Sequence, residues 1–499
     1  MTNGNRQNRW PGSSPGQHKS KFGIPAKGRI RVALGVALII AVVRFAGPCD
    51  CGGKAGREEA DGGGNVLTDS AVSTGENQRG GKSGKSLQSA GMEDNARKPD
   101  RARPAVPDFM MTFDDVRSLV NEYDVSVSAP RQRIVTNPND NRKWRRNNSR
   151  EDDTLTLFLS IDTTIQKYAM TMLRRYKPRY GAAVAIDPAT GRVLALASYA
   201  GKGEPHDGVN LCLRSVFPAA SVFKTVVAAA GIERGGMSRR TPIPHYGRNH
   251  TLYRTQLAEN LKASRDVSLQ DAFAYSINPA FGRIALFNVS KGVITEYGRA
   301  FGYHAAAPFE FDVEESVMLN PDSAFSVAEF ASGFNRETTL SPLLGAMMAG
   351  AVSYGGIINE PTIVDSIRSS KRDTLIYRRA TKTWRRAVKE STASELRWLM
   401  SRVTHYGTAR TSFRQLRELQ RYSAYEFGGK TGSVNQLGLG RVDWFIGFAK
   451  NPNNRNQQIA VGIVTTHGEY WTVHSSYIGS EIFKKYISNI EARAKSPAP

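Results

Sequence analysis

GAAVAIDPATGRVLALAS, residues 181–198, sets two short apolar runs on either side of Asp187-Pro188-Ala189-Thr190-Gly191. A turn rich in breakers between two runs of small and branched residues reads as a hairpin. Upstream, TLTLFLSID from Thr154 alternates like a strand, and Thr163 to Tyr176 carries apolar residues at helical spacing. Near the C-terminus, EFGGKTGSV (426–434), DWFIGFA (443–449) and QIAVGIVTT (458–466) are three more strand candidates, followed by a closing helix around Ser476 to Ser488. Helical patterns dominate between these two sets of strands. The pattern suggests an α/β fold of the α+β kind, with one sheet built from both ends of the domain and a helical insertion between.

The chain has 499 residues, 40% of them hydrophobic, which gives room for two or three domains and at least one large core. The net charge of +23 invites a nucleic-acid reading. The excess is gathered, however, in the tail before Ile30, in Arg142 to Arg150 and in patches such as Arg379 to Arg386, and no nucleic-acid recognition motif accompanies it. Basic surfaces also serve anionic membranes and wall polymers, so no nucleic-acid partner is expected. The three cysteines, Cys49, Cys51 and Cys212, allow no disulfide framework in the folded part. The histidines, His245 and His250 included, form no ligand pattern, so neither a metal nor a cofactor is expected.

VALGVALIIAVV, residues 32–43, follows Lys27, Arg29 and Arg31 and precedes Arg44. With both flanking arginines snorkelling, 30–47 makes a single-pass membrane anchor, and the preceding positive charges leave 1–29 as a cytoplasmic basic tail and the bulk of the chain extracytoplasmic. A cleaved signal peptide is the alternative, disfavoured by Pro48-Cys49 as a cleavage site. Residues 48–107, rich in Gly, Ser, Asn and mixed charge, read as a flexible linker. A small N-terminal module spans 108–153, with a helix near Phe113 to Tyr123, and the main domain spans 154–490.

Within FPAASVFKTVVAAAGIERG, Ser221 and Lys224 are three apart at the start of an apolar helix expected to begin just before Ser221. Side chains at that spacing are neighbours, and an apolar setting would lower the lysine pKa until a neutral amine could take the serine proton. Alone, an S-x-x-K pattern is common. Its value lies in order and context: Ser276-Ile277-Asn278 follows in SLQDAFAYSINPAFGRIALF, and Lys430-Thr431-Gly432-Ser433 lies in a strand candidate. For Ser276 to Asn278 a plain structural role is available, with Asn278 as the N-cap of a helix and Pro279 at its first position. A rigid corner between two helices would equally hold both side chains outward.

In that order SVFK, SIN and KTGS resemble the active-site motifs of penicillin-binding proteins and serine β-lactamases. The flanks LSIDTTIQ, GAAVAIDPATGRVLALAS, LSPLLGAMMAGAVSYGG, HYGTA and DWFIGFA resemble the transpeptidase domain of monofunctional, class B-like penicillin-binding proteins over roughly Thr154 to Ile487. The resemblance implies an antiparallel sheet covered by helices, with a helical subdomain, and a D,D-transpeptidase that cross-links peptidoglycan stem peptides and is trapped covalently by β-lactams. It implies Ser221 as nucleophile, Lys224 as general base, Ser276 as proton relay to the leaving amine and Asn278 as the residue that orients Lys224 and the substrate amide. Lys430 would add positive charge, Thr431 and Ser433 would bind the substrate carboxylate, and Gly432 would let the acyl chain lie against the strand. Backbone N–H groups of Ser221 and Ser433 would form the oxyanion hole. Cell-wall synthesis partners are implied with it. The sequence departs from the family pattern in three places: Ala220 where glycine is common, Ser433 where threonine is more frequent, and Phe334-Asn335-Arg336 in place of a glycine-rich turn. The rival readings are a D,D-carboxypeptidase or β-lactamase-type hydrolase on the same fold, and a non-catalytic scaffold. The nearest match to a deacylating E-x-x-L-N pattern, Glu315 to Leu319-Asn320, is one residue too long.

Overall fold

The computed structural model describes residues 110–495, apart from 124, 127–128, 137–152, 207 and 262. The expected tail, anchor and linker up to 107 lie outside the described residues, as does the polar run from 137 to 152. Among the described residues no helix is long and apolar enough to cross a membrane.

The organising element is a five-stranded sheet in the order Glu426–Gln436, Gly440–Lys450, Gln458–His467, Tyr180–Ile186, Val193–Ala200. Every neighbouring pair is antiparallel. The two ends of the domain meet where Gln458–His467 pairs with Tyr180–Ile186, Ile463 opposite Ala183. The hairpin after Ile186 closes as its sequence suggests: Asp187 Oδ1 accepts from the Ala189 N–H at 2.9 Å and Asp187 Oδ2 from the Thr190 hydroxyl at 2.7 Å. Gly191 sits at φ +77° with the Glu360 carbonyl oxygen 2.1 Å from where a Cβ would stand, so only glycine fits.

Alternation along the strands separates the two faces. Ile446 and Gly462, opposite one another, face the helix Pro342–Ser353, which is buried along its whole length. A Cβ at Gly462 would lie 2.1 Å from the Pro342 carbonyl oxygen, so the helix rests directly on the strand backbone. Phe445 and Ile463 face the other way, against Gly479 of the closing helix Ser475–Lys495. That helix is longer than the expected 476–488, and Thr163–Tyr176 forms as expected, N-capped by Asp162. A helix buried on all sides needs no amphipathic stripe, which is why LSPLLGAMMAGAVS reads as continuous apolar sequence.

TLTLFLSID does form a strand, Asp153–Leu159, but in a second, four-stranded sheet with Arg131–Thr136, Val364–Ser369 and Thr374–Arg378. Leu155, Leu157 and Leu159 point into the core, as the alternation requires. Arg131–Thr136 pairs directly with Asp153–Leu159, so the described part of 108–153 shares a sheet with the segment that follows. Its helix, Phe113–Glu122, is closed by a capping box between Thr112 and Asp115. Between the two halves of the main sheet come the expected helices, including Lys224–Glu233, Leu269–Ala274, Asn278–Phe287, Ala324–Ser332 and Glu390–His405.

Candidate active site

Ser221 is placed by a strand-to-helix transition. Phe217–Pro218 pairs with Thr339–Leu340, and the Trp444 indole N–H donates to the Pro218 carbonyl at 2.8 Å, fixing the approach from the main sheet. The chain then turns through a short 3₁₀ segment, Ala220–Phe223, before the α-helix Lys224–Glu233. The helix expected to begin before Ser221 therefore starts one turn later. Ala220 stands at φ +49°, in the left-handed region that costs a residue with a Cβ about 1–2 kcal/mol. Its carbonyl oxygen lies 2.0 Å from where a Cβ of Gly333 would be, so Gly333, itself at φ +65°, clamps the turn from outside. Alanine in place of the commoner glycine thus keeps a conformation that glycine would adopt more cheaply.

Lys224 is fully buried. Its Nζ lies 2.8 Å from Ser221 Oγ, 2.7 Å from Asn278 Oδ1 and 2.5 Å from the Ser332 carbonyl oxygen. Burial holds its pKa well below the ordinary lysine value, and the nearby Lys430 charge lowers it further. The donor inventory fits a neutral amine: two N–H groups go to Asn278 Oδ1 and the Ser332 carbonyl, which can only accept, and the lone pair is left for the Ser221 hydroxyl, which can donate.

Ser276 and Asn278 occupy the corner between Leu269–Ala274 and Asn278–Phe287, with Ser276 at φ +57°. The capping reading of Asn278 does not hold. Asn278 is the first helical residue, Ile277 is the cap and makes no side-chain cap bond, and the Asn278 side chain is committed elsewhere. Its Oδ1 takes the Lys224 bond and its Nδ2 donates to the His250 carbonyl at 3.2 Å. Ala220 and Ser276 are two of the five non-glycine residues with positive φ among the described residues, and both belong to the Ser221, Lys224 and Lys430 cluster.

The strand Glu426–Gln436, at the sheet edge, brings the third motif. Lys430 is fully buried, donates to Ser276 Oγ at 2.9 Å and to the Thr431 carbonyl at 2.8 Å, and is lowered to about 7 by desolvation. Thr431 Oγ1 lies 2.5 Å from Thr408 Oγ1. Ser433 is exposed, opposite Asp443 of the next strand. Gly432 faces the nucleophile turn: a Cβ there would stand 3.1 Å from both the Ser221 and Val222 nitrogens. None of Ser221, Lys224, Ser276, Asn278 and Lys430 is paired with a carboxylate among the described residues. Nor is there among them a group of three or more His, Cys, Asp or Glu side chains able to hold a metal ion.

Sequence reasoning missed three participants. Thr408 lies in HYGTA, where its backbone N–H also donates to the Ala274 carbonyl at 3.1 Å and so ties the Ser276 corner to the edge strand. The Ser332 and His250 contributions are backbone carbonyls, which no side-chain pattern reveals.

The family model for the penicillin-binding protein transpeptidase domain matches residues 181–488. Peptidoglycan D,D-transpeptidase PbpA of Mycobacterium tuberculosis is 27% identical over 285 residues, 48% of this chain and 55% of that protein. Stage V sporulation protein D of Bacillus subtilis is 22% identical over 319 residues, 60% of this chain and 48% of that protein. The chain thus spans about half the length of the curated relatives it matches. Among solved structures, penicillin-binding protein A of M. tuberculosis in its imipenem acyl-enzyme complex superposes with a TM-score of 0.54 at 22% identity, over 66% of this chain and 79% of that one. The D,D-transpeptidase domain of a peptidoglycan glycosyltransferase from Eggerthella lenta gives 0.54 at 21% identity, over 67% and 84%. With most of the domain matched, the three motifs assembled around the buried Lys224 and Lys430 and the same fold in these structures, the chain belongs to the penicillin-binding protein transpeptidase domain family.

Proposed function

We propose that the protein is a D,D-transpeptidase that cross-links peptidoglycan stem peptides through an acyl-enzyme on Ser221. The observation that carries this reading is the Lys224 Nζ, buried without a carboxylate and 2.8 Å from Ser221 Oγ. As a neutral amine it takes the hydroxyl proton while Oγ attacks the carbonyl carbon between the two terminal D-alanines. The developing oxyanion is held by the backbone N–H groups of Ser221 and Ser433, each donor typically worth about 3 kcal/mol. The C–N bond then breaks, and the departing D-alanine amine receives a proton from the Ser276 hydroxyl, which Lys430 resupplies across 2.9 Å. Asn278 keeps Lys224 aimed at Ser221. Thr431, Ser433 and the Lys430 charge receive the terminal carboxylate, and Gly432 leaves room for the acyl chain beside the strand. The amine of a neighbouring stem finally attacks the ester carbonyl; its proton passes through Ser276 back to Lys430, the C–O bond breaks, and Lys224 returns its proton to Ser221 Oγ.

Two features of the relatives support this chemistry. One bears the name peptidoglycan D,D-transpeptidase, and a solved structure with the same fold is an imipenem acyl-enzyme. The proposed topology follows from the substrate and from the apolar run at 32–43: residues 30–47 anchor the chain, 48–107 tether it, and the catalytic domain from about 154 works outside the cytoplasm. Intact-mass analysis after exposure to penicillin tests the nucleophile. A single stable adduct is expected on the parent and none on Ser221→Ala; equal labelling of both would overturn the assignment. Acyl-enzyme lifetime on a D-alanyl-D-alanine ester, with and without an acceptor amine, separates cross-linking from hydrolysis. Turnover that ignores the acceptor would make the enzyme a carboxypeptidase.

A further inference from the structure

Away from Ser221, the start of the edge strand at Glu426 and the side of the helix Glu390–His405 enclose a cleft of about 650 Å³. None of the residues assigned above lines it. Its walls carry Arg239, Arg397, Arg402, Arg417, Lys450 and Arg455 against a single carboxylate, Glu426. Glu395 stands just outside, 3.8 Å from Arg239 Nη1, and Glu390 lies near Lys450.

Several of these cations are held in place by groups that leave their charge uncompensated. Arg417 Nη1 donates to the Thr404 and Arg410 carbonyls at 2.6 and 2.7 Å, and Arg397 Nη1 to the Val352 carbonyl at 3.2 Å. Lys450 Nζ donates to the Ser353 carbonyl at 3.1 Å. Arg402 lies over the Trp398 ring, 4.1 Å from its centroid; Arg239, 4.4 Å from the same centroid, is instead paired with a carboxylate, that of Glu395. Crowding shows in the titrating groups: burial first, then Arg397 and Arg455, lower Lys450 against the pull of Glu426 and Glu390. Burial and then Arg402 and Arg417 lower His405 in the same way. Arg397, Lys450 and Arg455 also line an adjoining cavity of about 200 Å³ that adds Arg386 and one carboxylate, Glu390, so a net positive lining continues beyond the first cleft.

We infer that this cleft binds an elongated anion carrying two or more phosphate groups. Guanidinium forks match phosphate oxygens bidentately, and fixed arginines pay little ordering entropy on binding. The volume lies in the range of ligand sites and far exceeds one phosphate. Six cations line the cleft and four carboxylates, Glu426, Glu395, Glu390 and Glu418, lie within reach of them, so an excess of positive charge remains for an entering anion, which makes the ligand's charge a main source of affinity. The helix that forms one wall leads directly to Gly407 and Thr408, and the strand that forms another continues to Lys430, so the cleft and the reactive serine share both elements.

The test is binding of tripolyphosphate to the full-length protein in neutral detergent, followed by Trp fluorescence and calorimetry. The parent should bind with an affinity that falls steeply as salt rises. Arg402→Gln with Arg455→Gln should weaken binding at least about tenfold, while penicillin acylation of Ser221 stays unchanged. Arg455→Gln alone, at an exposed position, should give an intermediate loss and guards against a folding defect in the double variant. Competition by cardiolipin, whose headgroup carries two phosphates, in mixed micelles would place the phosphates in a lipid headgroup layer, and its absence would place them in solution; each outcome supports the inference. Failure of the parent to bind, unchanged binding in the double variant, or equal binding of polyglutamate of matched charge would overturn it.

Discussion

Gly432→Ala places one methyl group where the edge strand crosses the nucleophile turn, and its consequences can be followed atom by atom. The new Cβ would stand 3.1 Å from the Ser221 and Val222 nitrogens and 3.3 Å from the Ala219 carbonyl oxygen, tighter than ordinary contact by a few tenths of an ångström. The turn cannot yield easily. Ala219 N–H donates to the Thr338 carbonyl at 2.7 Å, Pro218 is held by Trp444, and Gly333 presses on the Ala220 carbonyl from the far side. The strand must therefore move outward, at a cost of about 1–3 kcal/mol typical of overpacking. The separation that changes is the one between the Ser221 N–H and the strand bearing Ser433, the two proposed sides of the oxyanion hole. Loss of one aligned donor typically slows acyl transfer about 10²- to 10³-fold. The second-order rate of acylation by a fluorescent penicillin should fall by that order while the melting temperature drops only a few degrees. An acylation rate within about threefold of the parent would refute the account of Gly432 as a spacer for the nucleophile turn.

Ala220→Gly should relieve the left-handed strain and leave stability equal or raised by up to about 1 kcal/mol, whereas Ala220→Val, β-branched at φ +49°, should be strongly destabilised; thermal melts compare the two. Thr408→Val removes the partner of Thr431 without touching the buried lysines, and is expected to slow acylation about tenfold with little change in melting temperature. Lys430, lowered to about 7, costs stability whenever the folded state must hold it charged. The unfolded chain binds the proton up to a pKa near 10.4, so this group makes stability rise with pH between about 7 and about 10 and contributes no slope below that window. Lys430→Met should flatten that rise in urea midpoints measured across the window; an unaltered slope would contradict the buried-lysine assignment.

The side chains of the candidate site were legible in the sequence because their spacing brings them together directly. Ser221 and Lys224 are neighbours on one turn, and Lys430 sits in a strand marked by alternation and glycines. The sheet was legible for a similar reason: its strands are short apolar runs bounded by turn residues. Asn278 was ambiguous, since an asparagine before a proline satisfies the rules for a cap as well as those for a site, and only the Lys224 contact decides between them. The separate sheet containing Asp153–Leu159 could not be foreseen, because one of its two partners, Val364–Ser369, lies far along the chain and alternation says nothing about pairing. The carbonyls of Ser332 and His250 were invisible for a simpler reason: every residue has one.

The pairing of Gln458–His467 with Tyr180–Ile186 also bears on how the molecule comes into being. During synthesis the hairpin of Tyr180–Ile186 and Val193–Ala200 emerges long before its third partner, and one of its edges must wait unpaired. Ser221 and Lys224 are likewise made well ahead of Lys430, so no reactive centre can assemble until the last strands arrive. Contacts this distant in sequence slow folding, and a ribosome that stops before Gln458 releases a chain with an open strand edge, exposed to aggregation.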